Sequence, residues 1–164
     1  MPTLSRDDGY VLSTDPDRID IDRVYRWLST DAYWAIGRSR ETVARAFEGS
    51  MPFGVYRPGD GVQVAVGRVV TDGATFAWLC DVYVEPSERG KGLGRWLATA
   101  VRDQLADLGV RRILLATADA HAVYAGAGFT PLAKPGQWME LDRRPVTIVT
   151  SKEHSPEAPL TVQG

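Results

Sequence analysis

The sequence predicts a mixed α/β (α+β) fold: a mostly antiparallel central sheet with helices on both faces and one β-helix-β crossover. Three observations carry that prediction. Three β-rich stretches between Phe53 and Val84 are joined by the turn signals Pro58-Gly59-Asp60-Gly61 and Asp72-Gly73, so they read as consecutive antiparallel strands. Leu93, Trp96, Leu97, Ala100, Val101, Leu105 and Leu108 then line one face at helical spacing, with Gly109 placed to stop the helix. The apolar run Ile113 to Ala116 follows and reads as a buried strand, parallel to the strand before the helix, which makes a right-handed crossover.

Taken in order, Tyr10 to Ser13 reads as a short first strand. Asp20 suits an N-cap, and Ile21, Val24, Tyr25 and Leu28 give the helix after it one apolar face. Ser39 caps a second helix, in which Val43, Ala46 and Phe47 share a face and Gly49-Ser50 end it. Between them, Ser29 to Arg40 is an irregular connection holding Tyr33, Trp34 and Arg38. Phe53 to Arg57 is a strand, and Val62, Val64 and Val66 alternate into a second that runs to Thr71. Thr75 to Val84 is the longest strand, stopped by Pro86. After the crossover, Asp119 is placed to cap a short helix ending at Gly128. Phe129–Leu132 and Trp138–Leu141 are expected to form a final strand pair. Residues 1–151 read as one domain, and 152–164 as a tail rich in Ser, Pro, Glu and Gly.

The segment Arg89-Gly90-Lys91-Gly92-Leu93-Gly94-Arg95 joins the longest strand to the long helix. Its glycines leave bare backbone where a ligand can approach closely. The first N–H groups of the helix have no intrahelical partner, and the helix dipole favours an anion there. With Arg89, Lys91 and Arg95 around them, these groups make a pocket for phosphate, best a diphosphate. A P-loop would need Ser or Thr after Gly-Lys, and none is present. A dinucleotide fingerprint would need its third glycine one position later, and an acidic residue where Val110, Arg111 and Arg112 stand. The pattern that fits is Arg-x-x-Gly-x-Gly, filled by Arg89, Gly92 and Gly94; the alternative is a glycine-rich turn with solvated basic residues.

Composition narrows the classes. The chain of 164 residues is long enough for one domain with a sizeable core. A net charge of −2 gives no reason to expect nucleic acid as a partner. No apolar run is long enough to cross a membrane and no leader pattern begins the chain, so the cytoplasm is the expected compartment. The single cysteine, Cys80, lies among apolar residues and reads as a buried thiol. His121 and His154 are the only histidines, so no histidine-rich metal site is expected.

With the preceding strand and Pro86, the Arg89–Gly94 pattern resembles the acetyl-CoA loop of the GNAT superfamily of N-acetyltransferases. Tyr124-x-x-x-Gly128-Phe129 is similar to that family's short helix and following turn, with Ala120 as its small residue. The order of elements matches the GNAT fold over nearly the whole chain, and the specific motifs cover about Thr75 to Pro131. Where many members carry a cofactor-contacting asparagine, this chain has Thr117, with Asp119 either serving instead or capping the helix.

The resemblance implies acetyl-CoA as co-substrate, no metal, and transfer of the acetyl group to a primary amine by direct attack in a ternary complex. A non-catalytic acetyl-CoA-binding module is the alternative. The cofactor would lie in an opening between the strands Thr75–Val84 and Ile113–Ala116. Its pantetheine arm would pair with backbone at Val82, Tyr83 and Val84, and its diphosphate would rest on N–H groups of Arg89 to Gly94. A strand N–H around Val82 would stabilise the oxyanion. Tyr124 is the family's usual general acid, against the reading that its ring packs on the sheet. Asp81 is the better-placed candidate base, against a paired carboxylate, and Tyr33, Trp34 and Arg38 are candidates for a small-molecule or peptide amine acceptor. A homodimer is compatible with all of this.

Overall fold

A computed structural model describes residues 2–145 and 162–163. The elements are β1 (Thr3–Ser5), β2 (Val11–Ser13), α1 (Ile21–Thr30), α2 (Arg40–Glu48), β3 (Met51–Tyr56), β4 (Gln63–Thr71) and β5 (Ala77–Val84). After these come α3 (Leu93–Asp107), β6 (Ile113–Leu114), β7 (Ala116–Thr117), α4 (His121–Gly126) and β8 (Val162–Gln163). Six strands form one sheet in the order β1-β2-β3-β4-β5-β6. Every neighbouring pair is antiparallel except β5 and β6, which are parallel through Ala77↔Ile113 and Trp78↔Leu114. Beyond Trp78 the two strands part: β5 runs on to Val84, and β7 pairs with β8 instead.

Local chemistry sets the helix limits. Asp20 accepts the Arg23 N–H at 2.9 Å and Ser39 accepts the Thr42 N–H at 3.1 Å, so each caps the helix it precedes. Gly92 starts α3 from the left-handed region at φ 74°, and Gly109 at φ 82° ends it. α3 covers one face of the sheet through Leu93, Leu97, Val101 and Leu105. α1 and α2 cover the other through Val24, Trp27, Leu28, Val43 and Phe47. A fully buried leucine contributes about 1.5–3 kcal/mol, so these stripes hold the helices to the sheet.

Several expectations are corrected. A strand precedes the one expected first: Thr3–Ser5 pairs with Val11–Ser13 around a turn at Gly9. Leu108 lies off the apolar face and is exposed. Asp119 does not cap α4: Ala120 holds the N-cap position, and the Thr117 Oγ1 accepts the Ala120 N–H at 2.9 Å. Phe129–Leu132 and Trp138–Leu141 form no strands; between them is a single 3-10 turn at Pro135–Gln137. Pro131 brings no N–H to a ladder, and Met139 and Leu141 are exposed among the described residues. Of the expected tail, only Val162 and Gln163 belong to the described residues, and they form β8. Among the described residues, no helix is long and apolar enough to cross a membrane.

One irregularity shapes the site. In the β4–β5 ladder Val66 faces Tyr83 and Arg68 faces Cys80, so Asp81 and Val82 together oppose Gly67. This is a β-bulge, and Asp81 adopts φ 51°, a conformation that costs a residue with a side chain about 1–3 kcal/mol. Gly67 leaves room for it: a Cβ there would stand 3.0 Å from Leu97 Cδ2 and 3.3 Å from Val82 Cγ2.

Gly67→Val is therefore expected to destabilise the fold by about 1–3 kcal/mol through overpacking of α3 against the bulge. Urea unfolding, read as a lowered midpoint at unchanged slope, measures it.

Candidate active site

Where β5 and β7 part, a cavity of about 260 Å3 opens beside the glycine loop. Val82 and Val84 line it from β5, Gly90, Gly92 and Gly94 from the loop, and Val123 and Tyr124 from α4. The loop comes to this place because Pro86 ends β5 and Gly92 turns the chain into α3. No side chain caps α3, so its first N–H groups are left for a ligand. A Cβ at Gly90 would meet nothing within 4 Å, and one at Gly92 only the Arg6 guanidinium at 4.0 Å, so a ligand has room at both.

The three expected cations divide. Arg89 folds back, donating to the Val84 carbonyl at 3.0 Å and reaching Asp31 at 3.4 Å over the Tyr83 ring. Lys91 is paired: its ammonium donates to Glu88 Oε2 at 2.7 Å and to the Tyr10 hydroxyl at 3.3 Å. Those bonds hold the Lys91 pKa up and the buried Glu88 carboxyl down. Arg95 lines the cavity, and its guanidinium lies across Gly126 of α4. Arg6, which sequence reasoning missed, donates to the Lys91 carbonyl at 3.0 Å and stacks on Tyr10 and Trp96. A basic loop with an acidic residue three positions before its lysine was the signal available for the Glu88–Lys91 pair.

Tyr124 is 2% exposed, and among the described residues its hydroxyl has no hydrogen-bond partner. Buried polar atoms are nearly always paired, so an orphan on a residue that lines the cavity points to a partner a ligand there would supply. Burial, with the negative charge of Asp119 next, drives its pKa upward. The phenol therefore keeps its proton throughout the neutral range. Its ring is fixed edge-on against Phe129 at 5.9 Å between centroids.

On the opposite face of β5, the structure brings Asp81, Trp34 and Arg38 together. Asp81 is fully buried. Its Oδ1 accepts the Trp34 indole N–H at 2.8 Å, and its Oδ2 accepts from Arg38 at 2.8 Å and from Arg68 at 2.6 Å. Burial by itself would raise its pKa, but the charges of Arg68 and Arg38 outweigh that and hold it below the ordinary carboxylate range. A carboxylate engaged in this way is a poor proton acceptor, and the arrangement supports the paired reading of Asp81 rather than the base. Arg68 was missed; a lone arginine between Gly67 and Val69 in an apolar strand marked it. Tyr33 is T-shaped against Trp34 at 5.1 Å and accepts the Ala118 N–H at 3.3 Å, so the α1–α2 connection reaches across to the β7–α4 turn.

Other expected residues stand elsewhere. The Tyr83 side chain points away from the cavity, stacking on Trp27 and donating to Asp31 at 2.5 Å, so only its backbone faces a ligand. Thr117 and Asp119 do not line the cavity. His121 is on the exposed surface of α4. Burial pushes the Cys80 thiol up to about 11, consistent with an inert side chain. β8 pairs with β7 through Ala116↔Gln163 and Thr117↔Val162 and also packs beside β5, so it stands in the opening between them.

Comparison with known proteins places this geometry. The model of the Acetyltransferase (GNAT) family matches residues 21–129. A Gibberella zeae protein named as an acetyltransferase is 34% identical over 128 residues, 67% of this chain and 72% of its own length. The crystal structure of a GNAT-family acetyltransferase from Xanthomonas campestris pv. campestris is 43% identical, with a TM-score of 0.76 over 82% of this chain and 93% of that one. The protein Rv2747 from Mycobacterium tuberculosis, solved in complex with CoA and NLQ, is 18% identical and shares the fold, with a TM-score of 0.60 over 74% of this chain and 72% of its own.

Asp81→Asn leaves Arg38 and Arg68 beside a neutral group in a buried site, and is expected to lower stability by about 3–5 kcal/mol in urea unfolding. The sign with pH follows from the depressed pKa. The wild-type contribution is complete above the unfolded-state value, about pH 4, and is lost as pH falls through the lower folded value. The variant should lack that part of the acid limb in melts recorded against pH.

Proposed function

The chain belongs to the GNAT family of acetyltransferases, and on that premise we propose that it transfers the acetyl group of acetyl-CoA to a primary amine by direct attack in a ternary complex. The observation that carries the reading is that Tyr124, whose buried hydroxyl is unpartnered among the described residues, lines the same cavity as the glycine loop. Such a group fits a site that receives a thioester and releases a thiolate.

Acetyl-CoA supplies the activated acyl group and a sulfur leaving group. The residues of the chain do the rest. N–H groups from Gly90 to Gly94 hold the diphosphate, with Arg95 beside them; Lys91 shapes the loop through Glu88 and does not itself reach out. Backbone at Val82, Tyr83 and Val84 pairs with the pantetheine arm. The bulge leaves its extra residue out of the ladder, so an N–H at Val82 is directed at the acyl oxygen and lowers the cost of negative charge there. Tyr124 holds a proton at its hydroxyl and delivers it to the departing sulfur. The amine must shed a proton to attack, since an alkylamine has a pKa of about 10.4; with Asp81 engaged by two arginines, water takes that proton. Tyr33, Trp34 and Arg38 form the acceptor side, their positions fixed by Asp81. An aromatic pair beside an arginine suits a small-molecule or peptide amine that also carries a ring or a carboxylate. No step calls for a metal.

Two substitutions test the assignment. Tyr124→Phe removes only a hydroxyl, so acetyl-CoA affinity should hold while kcat falls about 100-fold in assays of free thiol release. Wild-type kcat in that variant, where chemistry limits turnover, would return Tyr124 to a packing role. Gly92→Val puts a side chain where the phosphate rests, at a φ of 74° that valine resists, and should abolish acetyl-CoA binding in calorimetry.

A further inference from the structure

β1 and β2 end the sheet on the side away from β6, with β3 and β4 between them and the cavity-lining β5. β1 is exposed along its length and pairs with β2 over three residues. The turn between them nevertheless reaches the glycine loop. Arg6 and Tyr10 close that turn, the Arg6 N–H donating to the Tyr10 carbonyl at 2.9 Å and the Gly9 N–H to the Arg6 carbonyl at 2.8 Å. Both residues precede 21–129, the stretch that the family model matches, so membership of the family assigns them no role.

Two ties run from the turn to the loop. Tyr10 buries its ring in the core and donates its hydroxyl to Glu88 Oε2 at 2.5 Å. Arg6 Nη1 donates to the Lys91 carbonyl at 3.0 Å. Arg6 is itself fixed. Its Nε and Nη2 meet the two carboxylate oxygens of Asp8 at 2.8 and 2.5 Å, and its guanidinium lies over the rings of Tyr10 and Trp96, the latter in the first turn of α3. A third tie comes from β3: Arg57, one residue beyond its end, reaches Glu88 Oε1 at 3.5 Å and is braced by Asp60.

The loop needs such ties. Gly90 and Gly92 stand at φ 80° and 74°, and glycine has many other conformations open to it. The Glu88–Lys91 pair spans Gly90, but a contact inside the loop moves with the loop. Tyr10, Arg6 and Arg57 connect the loop to strands. A loop already in its bound shape loses less conformational freedom when a ligand arrives, and binds more tightly for that reason. The ties also account for a carboxylate among the residues that line a cavity suited to a polyanion. The charge of Glu88 is countered by Lys91 and Arg57, and its oxygens are engaged in holding the loop.

We propose that Arg6 and Tyr10 are positioning residues for acetyl-CoA: through the Lys91 carbonyl and Glu88 they hold the Arg89–Gly94 loop in its bound shape before the ligand arrives. The proposal rests on the acetyl-CoA reading given above. Neither side chain needs to touch the ligand.

The test pairs two measurements on the full chain: nuclear relaxation of the loop amides without ligand, and calorimetry with acetyl-CoA. Tyr10→Phe keeps the ring in the core and removes only the hydroxyl. Arg6→Gln is the second variant, and the two are also combined, with circular dichroism checking that each is folded. In wild type the order parameters at Gly90, Lys91 and Gly92 are expected at about 0.85, and in the double variant they should fall toward about 0.6. Each single variant should raise the acetyl-CoA dissociation constant about 10-fold, the worth of one hydrogen bond with a charged partner. A role confined to fold stability would lower the melting temperature and leave both measurements as in wild type, which overturns the proposal. Weaker binding with an unchanged loop overturns it too, since the side chains then meet the ligand themselves. So does a loosened loop with unchanged affinity. If wild type binds no acetyl-CoA, the reaction assigned above falls and the proposal falls with it; if wild type and the variants bind equally well, the proposal falls alone.

Discussion

A carboxylate at a β-bulge holds the two halves of this site in register. Asp81 lies in the middle of β5, in a backbone conformation that side chains ordinarily avoid, and three donors from two places converge on it. Trp34 and Arg38 come from the connection between the first two helices, and Arg68 from the neighbouring strand. The bulge and the ion cluster sustain one another. Without the bulge the carboxylate would not turn toward the helices, and without the arginines its burial would be prohibitive. The same bulge presents Val82 to the cavity on the opposite face, so the cavity and the Asp81 cluster are set by one local departure from the ladder.

The glycine loop works by a different economy of charge. Of the basic residues around it, Lys91 is neutralised by a buried glutamate and Arg89 is bound into the strand end and Asp31. What faces the cavity is chiefly backbone, rigidly mounted. Arg6 and Tyr10 buttress the loop from the N-terminal hairpin, far away in sequence. On the reading proposed above, a polyanion would meet oriented N–H groups before mobile cations, which favours geometry over mere charge.

Most of the fold was legible because it is written in periodicity and punctuation. Asp20, Ser39, Gly92 and Gly109 mark helix ends in the sequence and hold those positions in space. That the loop lies between a strand and a helix was legible through a local motif whose context is contiguous, and the structure puts Tyr124 beside it in one cavity. What was not legible depends on contacts distant along the chain. Arg68 and Asp81 are 13 residues apart and meet only because a bulge shifts the register, which no alternation pattern reveals. Glu88 and Tyr10 are 78 apart. The final strand pair failed for a related reason: Trp138–Leu141 has the pattern of a strand, but pattern cannot supply the edge it pairs with. Asp119 looked like a cap by residue type, and Thr117, two positions earlier, had the geometry.

The short strand β8 gives the opening a particular thermodynamic character. It already supplies backbone partners to Ala116 and Thr117 and lies against β5. An extended ligand entering there trades one set of main-chain bonds for another, so the number of hydrogen bonds changes little. The free energy of entry is then a difference between two similar strands, and the enthalpy of docking should be small compared with the contacts a bound complex would display. On the reading proposed above, selectivity in such an exchange would come from what the incoming group offers that β8 lacks: anionic charge for the loop, and a sulfur for the phenol.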